Sequence, residues 1–384
     1  ATTELLMLRF KQYLDLQEAE KVPANRGDVG EFVLGAAVTT RFWKKYKGND
    51  VTENDVKDIL RKVIKTNPVS LKREDEDVVE IDTQISDDIR FKVSVPKKAQ
   101  EFMYDSKNWL PIPDLFKASI EYVNTDKRML KQASILARNN KRNDIFINAD
   151  GTGEQKATKA DIKLVIDDKP TRNQISLKVD GGDQFMQIAG YTFEKQMTLW
   201  NHLGVNIDSY KADYENSLSK LDLKVKFADR ASVHNDINTN LFRDAVEKVY
   251  KSAASILKKE LNDANPDIIL KIASFVRRGA TLDDPNVEVV KLNRGKLLKA
   301  KFGKKYLEAA KQTTFDVDFV KRKKDFLVVI YDKKLGKSKG KFLSIRAKID
   351  PAKRVTLQGK SYHFYFRNIV ESGKLFFALG SLDK

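Results

Sequence analysis

The sequence of 384 residues has a formal net charge of +17, with 41% hydrophobic and 33% charged residues, so it can bury the core of one large domain or two smaller ones. It has no cysteine, which excludes disulfide bonds and thiolate metal sites and fits a reducing compartment such as the cytoplasm. No secretion signal and no apolar run near the roughly 20 residues of a membrane span are found, so we expect a soluble intracellular protein with no membrane partner.

The excess positive charge is confined to the last quarter of the chain. Residues 291–384 contain 25 Lys and Arg but 8 Asp and Glu, a net charge of +17, whereas the first 290 residues contain 46 of each sign. Such asymmetry favours a polyanionic partner, most often nucleic acid, over a solubilising basic tail. Strand-like patterns and aromatic residues in this segment also favour nucleic acid, because a disordered tail would lack both.

Three helices are predicted before the first strands. Apolar spacing indicates a helix over residues 3–20. A second helix is predicted to begin at Asp28 as its N-cap, with Glu31 three residues later as in a capping box. The small residues from Gly35 onwards would let this helix approach a sheet closely. Thr52 is predicted to cap a third helix.

Residues 51–143 are predicted to form an insertion before the central strands. Strand patterns occur at 78–81 and 89–95, and apolar spacing predicts a helix over about 127–139. A strand is then predicted at 144–148.

Residues 160–179 show the pattern of a β-hairpin. An apolar run at 162–166 and an alternating run at 174–179 are separated by a loop rich in turn formers. If the strands pair symmetrically about that loop, Asp161 lies opposite Lys178. A carboxylate and an ammonium held side by side on rigid backbone can hold a divalent metal and activate a water.

The rest of the chain is predicted to be helical first and then rich in strands. Asp183 is the predicted N-cap of a helix through residue 200, and residues 236–278 are helical by pattern. The predicted basic loop Lys333–Lys341 interrupts the later strands. These strands are predicted at 287–292, 314–319, 326–331, 342–349 and 362–366, with one helix near 294–312.

Glu31 on a helix, Asp161 opening one strand and Ser176-x-Lys178 on the next strand resemble the PD-(D/E)xK nuclease superfamily. That superfamily includes restriction endonucleases and phage or recombination nucleases, and its core is a helix, three strands, a helix and a further strand. The predicted order matches it through the second helix. The matching segments are residues 27–50 and 144–203.

The resemblance implies an α/β fold class with a restriction-endonuclease-like core, a mixed β-sheet flanked by helices, and a phage or restriction-type origin. We expect this core in residues 1–215, interrupted by the insertion at 51–143. A helical segment over 216–285 and a basic, β-rich nucleic-acid-binding region over 286–384 complete the expected domains.

The resemblance also implies a Mg²⁺ or Mn²⁺ site that hydrolyses phosphodiester bonds. Asp161 would be the central ligand, Glu31 would bind the metal or a metal-bound water, and the Leu177 carbonyl would complete the shell. Lys178 would orient or deprotonate the attacking water and offset phosphate charge. Ser176 stands where the family usually has a carboxylate, and a hydroxyl is a poorer Mg²⁺ ligand.

Each of these residues also has an ordinary structural explanation. Glu31 could belong to a capping box, Asp161 could be a turn residue, and Lys178 could face solvent on an alternating strand.

Nucleic-acid contacts are predicted on both sides of the hairpin and in the basic quarter. Gln184 and Gln187 would lie one helical turn apart, and Gln187 begins a Gln-x-x-x-Tyr element similar to that of recombination-type nucleases. Lys156 and Lys159 lie just before the first hairpin strand and could reach phosphate as well. In the basic quarter the candidates are Lys321, Arg322, Lys323, Lys324, Lys333, Lys334, Lys337, Lys339 and Lys341.

The sequence therefore predicts a Mg²⁺-dependent DNA endonuclease. The alternatives are a non-catalytic DNA-binding protein on a degenerate nuclease core, or an exonuclease or RNA-cleaving relative. The oligomeric state stays open, with a homodimer among the options.

Overall fold

A computed structural model divides the chain into two compact units, each with its own main sheet. The first unit comprises Ala1–Gly182 with Val290–Leu298, and the second comprises Asp183–Val289 with Lys299–Lys384. The sequence suggested a domain boundary near residue 215. The structure describes residues 24–43, 48–72, 77–139, 142–150, 160–180, 184–189, 199–219, 237–262, 288–300, 304–323, 325–350, 355–357, 360–362 and 365–380.

The first unit is a mixed α/β structure whose eight-stranded sheet is flanked by helices. Its helices are α1 (Arg26–Phe42), α2 (Glu53–Val63), α3 (Lys97–Tyr104), α4 (Pro113–Thr125) and α5 (Lys127–Arg138). Its strands are β1 (Val69–Lys72), β2 (Asp77–Ser86), β3 (Ile89–Pro96), β4 (Ile145–Ala149), β5 (Ile162–Ile166) and β6 (Lys169–Val179). The same sheet includes β8 (Glu288–Asn293) and β9 (Lys296–Ala300), of which residues 290–298 belong to the first unit. The eight strands lie in the order β1-β2-β3-β4-β5-β6-β8-β9. Strands β3 and β4 are parallel, whereas β1–β2, β2–β3, β4–β5 and β5–β6 are antiparallel pairs.

The predicted insertion is part of this sheet. Strands β2 and β3 extend the predicted segments at 78–81 and 89–95, and β3 pairs directly with β4 through Ile89 and Ile145. Alternate residues of β3, among them Phe91 and Val93, are fully buried, which is the period-two pattern of a strand with one face on a core. Residues 51–143 therefore supply three of the eight strands of the sheet to which the predicted hairpin belongs.

Helix α1 crosses this sheet in very close contact. A Cβ atom at Gly30 would lie 2.7 Å from Cγ2 of Val179 and 3.3 Å from Cδ2 of Leu177. A Cβ atom at Gly35 would lie 2.7 Å from Cε2 of Phe91 and 3.2 Å from Cβ of Ala149. The helix thus passes over β6 at its second turn and over β3 and β4 one to two turns later.

The start of α1 differs from the prediction, whereas the start of α2 agrees with it. Helix α1 begins at Arg26, and the side chain of Asn25 accepts a hydrogen bond from the Gly27 N–H. The capping box of Asp28 and Glu31 is therefore wrong, because both residues lie inside the helix. Thr52 caps α2, as predicted, in a capping box with Asp55.

The β5–β6 hairpin is confirmed, but its turn and register differ from the prediction. Asp167 and Asp168 have φ values of 50° and 61°, as in a two-residue type I′ turn, so the predicted seven-residue loop is largely strand. A register shift between Lys163 and Val165 leaves Ile162 paired with Ile175. Continued by one residue, this register brings Asp161 beside Ser176 instead of Lys178.

The second unit contains a five-stranded antiparallel sheet in the order β10-β11-β12-β15-β7 and a small β13–β14 pair. Its strands are β7 (Gln184–Ala189), β10 (Phe315–Lys321), β11 (Asp325–Asp332), β12 (Lys341–Asp350), β13 (Val355–Leu357), β14 (Lys360–Tyr362) and β15 (Tyr365–Ser372). Its helices are α6 (Lys211–Ser219), α7 (Ile237–Asn262), α8 (Lys304–Gln312), α9 (Gly336–Gly340) and α10 (Lys374–Gly380).

The long helix α7 packs against β10 and β11. Its buried residues include Val246, Val249 and Tyr250, and the ring of Tyr250 meets Trp200 edge-on at 5.5 Å between centroids. None of the helices in the described ranges is both long enough and apolar enough to cross a membrane.

Three of the later predictions need correction. Residues 184–189 form strand β7 instead of the first turns of a helix. Arg294 and Gly295 have positive φ and form a hairpin turn, whereas a helix was predicted to begin there. The basic loop at 333–341 contains the short helix α9. The predicted helix over 3–20 lies outside the described residues.

We expect Gly35→Ala to destabilise the first unit, because its methyl group would overlap the ring of Phe91 in a packed core. Overpacking of this kind costs about 1–3 kcal/mol. Gly27→Ala is the matched control, since its nearest neighbour lies at 3.4 Å, an ordinary contact, and alanine favours helix. Urea unfolding followed by circular dichroism measures both, and equal stability of the two variants would contradict the close-packing argument.

Candidate active site

The backbone of Asp161 breaks the regular ladder at the beginning of β5. Its N–H donates to the Ile175 carbonyl at 2.7 Å, whereas its carbonyl accepts from the Asp150 N–H at 3.0 Å. In a regular antiparallel strand the N–H and the carbonyl of one residue point to the same neighbouring strand, so the backbone is irregular at Asp161. The Asp161 carboxylate consequently reaches β6, where its Oδ2 accepts a hydrogen bond of 2.5 Å from the Leu177 N–H.

Three oxygens of this site surround the ammonium group of Lys178. Its Nζ lies 2.8 Å from the Leu177 carbonyl oxygen, 3.2 Å from Ser176 Oγ and 3.6 Å from Asp161 Oδ2. Ser176 Oγ in turn lies 3.3 Å from Asp161 Oδ2. The side chains of Lys178 and Asp161 are only 16% and 19% exposed, so their attraction is screened less than that of a surface pair.

This donor set suits a hard cation. A carboxylate, a hydroxyl and a backbone carbonyl are the oxygen ligands that Mg²⁺ accepts, with waters completing its shell. In the structure these three oxygens contact the ammonium of Lys178 itself. Among the described residues, no group of three or more His, Cys, Asp or Glu side chains is placed to hold a metal ion. Any metal here would therefore rely on few carboxylates.

Glu31 is carried toward this strand by the close packing of α1. Gly30, the residue before it, packs on Leu177 and Val179 of β6, and Glu31 itself is 9% exposed. The first turn of α1 is held at the end of the same strand, because Arg26 Nε lies 2.5 Å from Asp180 Oδ2. Burial in the second turn excludes the capping explanation for Glu31.

Asp150 is a buried acidic residue beside Asp161 that sequence reasoning missed. It follows β4 directly, is 8% exposed, and is joined to Asp161 by the backbone hydrogen bond described above. The signal was available in the sequence, since an Asp two residues after the predicted strand at 144–148 lies near the start of the antiparallel strand that follows.

The predicted nucleic-acid contacts near the hairpin are not assembled as expected. Gln184 and Gln187 lie on β7, at the edge of the sheet in the second unit, where they pair with Glu371 and Ile369 of β15. The helical spacing assigned to them is therefore wrong. Lys156, Lys159 and Lys324 lie outside the described residues.

The basic loops of the last quarter lie at opposite ends of β11. Arg322 and Lys323 are exposed in the turn from β10 to β11, whereas Lys333, Lys334 and Lys339 are exposed between β11 and β12. Lys341, at the start of β12, is partly buried. Because β11 has eight residues at about 3.4 Å each, these loops cannot form one compact cluster.

Two of the predicted lysines form ion pairs within the second unit. Lys321 Nζ lies 2.6 Å from Glu247 Oε2, and Lys337 pairs with Asp318. Glu247 also pairs with Lys251 at 2.8 Å. Burial acts to raise the pKa of Glu247, but hydrogen bonds from Lys251 and Lys321 outweigh it, so the pKa is lowered overall.

Comparison with known proteins adds no relative. The chain matches no protein-family model, no curated protein and no solved structure. The resemblance to PD-(D/E)xK nucleases thus depends on the residues of the site and the order of the elements around them.

We expect Glu247→Gln to flatten the acid dependence of stability. A carboxyl whose folded pKa is depressed stabilises the fold above its unfolded pKa of about 4.3, and that contribution is lost as pH falls through the folded value. The free energy of unfolding of the variant should be lower than that of the wild type by about 1 kcal/mol near neutral pH, and by less at lower pH. Urea unfolding between pH 3 and 7 measures this. The exposed Asp244→Asn on the same helix is the control, and parallel curves for Glu247→Gln and wild type would refute the expectation.

Proposed function

We propose that the chain is a metal-dependent DNA endonuclease of the PD-(D/E)xK type. The observation that carries this proposal is the convergence of Asp161, Ser176, the Leu177 carbonyl and Lys178 where β5 meets β6. Asp161 and Lys178 are the residue types expected at these strand positions, whereas Ser176 replaces the expected carboxylate. The order of α1, β4, β5 and β6 along the chain supports a restriction-endonuclease-like core, although β7 follows in place of the family's second helix.

The residues of the site have distinct roles in this proposal. The Asp161 carboxylate and the Leu177 carbonyl would hold Mg²⁺ or Mn²⁺, whose chemistry is to neutralise phosphate charge and acidify a water. Lys178 would turn from these oxygens to the phosphate, where its ammonium offsets developing charge and orients the attacking water. Glu31 would contribute a hydrogen-bond acceptor for that water from α1.

The proposal predicts Mg²⁺-dependent nicking of supercoiled plasmid, a substrate without ends, which separates endonuclease from exonuclease action. Asp161→Ala and Lys178→Ala should each lower the rate about 100-fold or more, because each removes charge stabilisation or water activation. Lys169→Ala is the control, since this exposed residue lies on the same strand about 30 Å from Lys178. Thermal unfolding of all three variants excludes loss of the fold.

Two results would count against the nuclease proposal. Absence of metal-dependent cutting by the wild type on plasmid, single-stranded DNA and RNA would refute an enzymatic function. Cutting that survives both Asp161→Ala and Lys178→Ala would show that the active site lies elsewhere.

A non-catalytic DNA-binding protein on a degenerate nuclease core is the second candidate. It is favoured by the ammonium of Lys178, which contacts the same three oxygens that a metal would need. It is also favoured by Ser176, which supplies a hydroxyl where a carboxylate is expected. A metal would have to displace Lys178 with one carboxylate fewer to attract it.

The variant Ser176→Asp tests this second candidate. If the core is degenerate, the added carboxylate should increase Mn²⁺ affinity about tenfold or more, measured by calorimetry, relative to a wild type that binds Mn²⁺ weakly. Ser344→Asp, a similarly buried serine on β12, is the control for the added charge. If the wild type already binds Mn²⁺ tightly and Ser176→Asp gains nothing, the degenerate-core candidate is wrong.

A further inference from the structure

A row of cations follows the outer edge of the sheet in the second unit. Strand β10 is the edge strand, and helix α7 packs along it. Arg243, Lys251 and Lys258 are spaced by eight and seven residues on α7, which places them on one face of the helix. Together with Lys321 of β10 and Lys337 of α9 they form what we call the β10 ridge.

The α7 members of the ridge contact β10 and β11 in sequence along the strand. The Arg243 guanidinium donates to the Lys323 carbonyl at 2.6 Å and lies over the ring of Phe326. Lys251 lies over Phe319, with its Nζ 5.6 Å from the ring centroid. Lys258, near the other end of β10, lies 2.9 Å from Asp316. The cations are therefore fixed at successive positions along one edge.

These cations remain accessible although carboxylates hold them. The side chains of Lys258, Lys337, Lys251 and Lys321 are 45%, 52%, 58% and 59% exposed. Their carboxylate partners are 11–28% exposed, so the negative charges lie beneath the row. Ammonium groups held in this way have donors left for a second anion and lose less conformational entropy on binding it.

The β10 ridge also joins the two basic loops that lie at opposite ends of the hairpin. Arg322 and Lys323 extend it at one end of β10, and Lys333, Lys334 and Lys339 extend it at the other. The seven residues of β10 span about 24 Å, close to the length of seven base pairs at about 3.4 Å each. Ten cations lie along this line, and Glu247, Asp316 and Asp318 form ion pairs with four of them.

We propose that the β10 ridge binds the phosphate backbone of double-stranded DNA. Charge complementarity and the length of the row, about 24 Å, favour a regular polyanion. Lysines on an edge strand also discourage strand pairing between molecules, but that role does not require the cations of α7. The ridge lies wholly in the second unit, and DNA binding there does not depend on the proposed nuclease site.

The test is binding of a fluorescent 20-base-pair DNA duplex, followed by anisotropy in EDTA so that cleavage plays no part. The triple variant Lys251→Gln, Lys258→Gln and Lys337→Gln should bind roughly tenfold or more weakly at 100 mM salt. The slope of log affinity against log salt should become shallower by about 3, since each phosphate contact contributes about 0.9. The corresponding triple Arg variant keeps the charge and should bind like the wild type.

The control is a second triple variant with the same change in net charge at exposed sites of the first unit: Lys98→Gln, Lys107→Gln and Lys131→Gln. Thermal unfolding shows whether each variant is folded. The proposal is overturned if the wild type does not bind the duplex, if the Gln variant binds unchanged, or if the control loses as much affinity. Tighter binding of an RNA duplex than of DNA would overturn the choice of partner. Loss of nuclease activity alone, with this binding intact, would refute only the proposed catalytic function.

Discussion

The close contact between helix α1 and the sheet of the first unit depends on two positions without a side chain, Gly30 and Gly35. Any larger residue at either position would meet a side chain of the sheet at less than 3 Å. Because a packed core has little free volume, these glycines fix the height of the helix above the strands. Glu31 is carried with the helix, so its position relative to β6 follows from the same contact.

Helix position alone would not assemble the site, which also requires the irregular backbone at Asp161. Its N–H and carbonyl bond to different strands, and this frees its carboxylate to bond to the Leu177 N–H. On β6 the Lys178 ammonium contacts the Leu177 carbonyl and the Ser176 hydroxyl, so the Asp161 carboxylate joins these oxygens. Interrupted pairing costs ladder hydrogen bonds, and the charge-assisted hydrogen bond to Leu177 offsets part of that cost. In the structure these oxygens contact the Lys178 ammonium, and both candidate functions depend on whether a metal can displace it.

Local patterns predicted those parts of the fold that depend on near neighbours. The alternation in β3 and the turn residues of the β5–β6 hairpin are local signals, and both elements form. The register shift near Lys163 left no such signal, so the predicted partner of Asp161 was wrong by two residues. Strand β7 could not be recognised because its short apolar pattern fits a helix as well as a strand. It is fixed by pairing with β15, about 180 residues later in the chain.

The β10 ridge shows why charge counted along a sequence can miss a charged surface. The excess charge lies after residue 290, yet Arg243, Lys251 and Lys258 come from the part of the chain whose net charge is zero. Helix α7 brings them to β10 because its apolar residues pack on the sheet, and the cations then follow the strand edge. Glu247 and Asp316 reduce the net charge of that surface but hold its lysines in place. Such a row differs from a solubilising surface because its cations are held at fixed positions along one strand, and not because they are numerous.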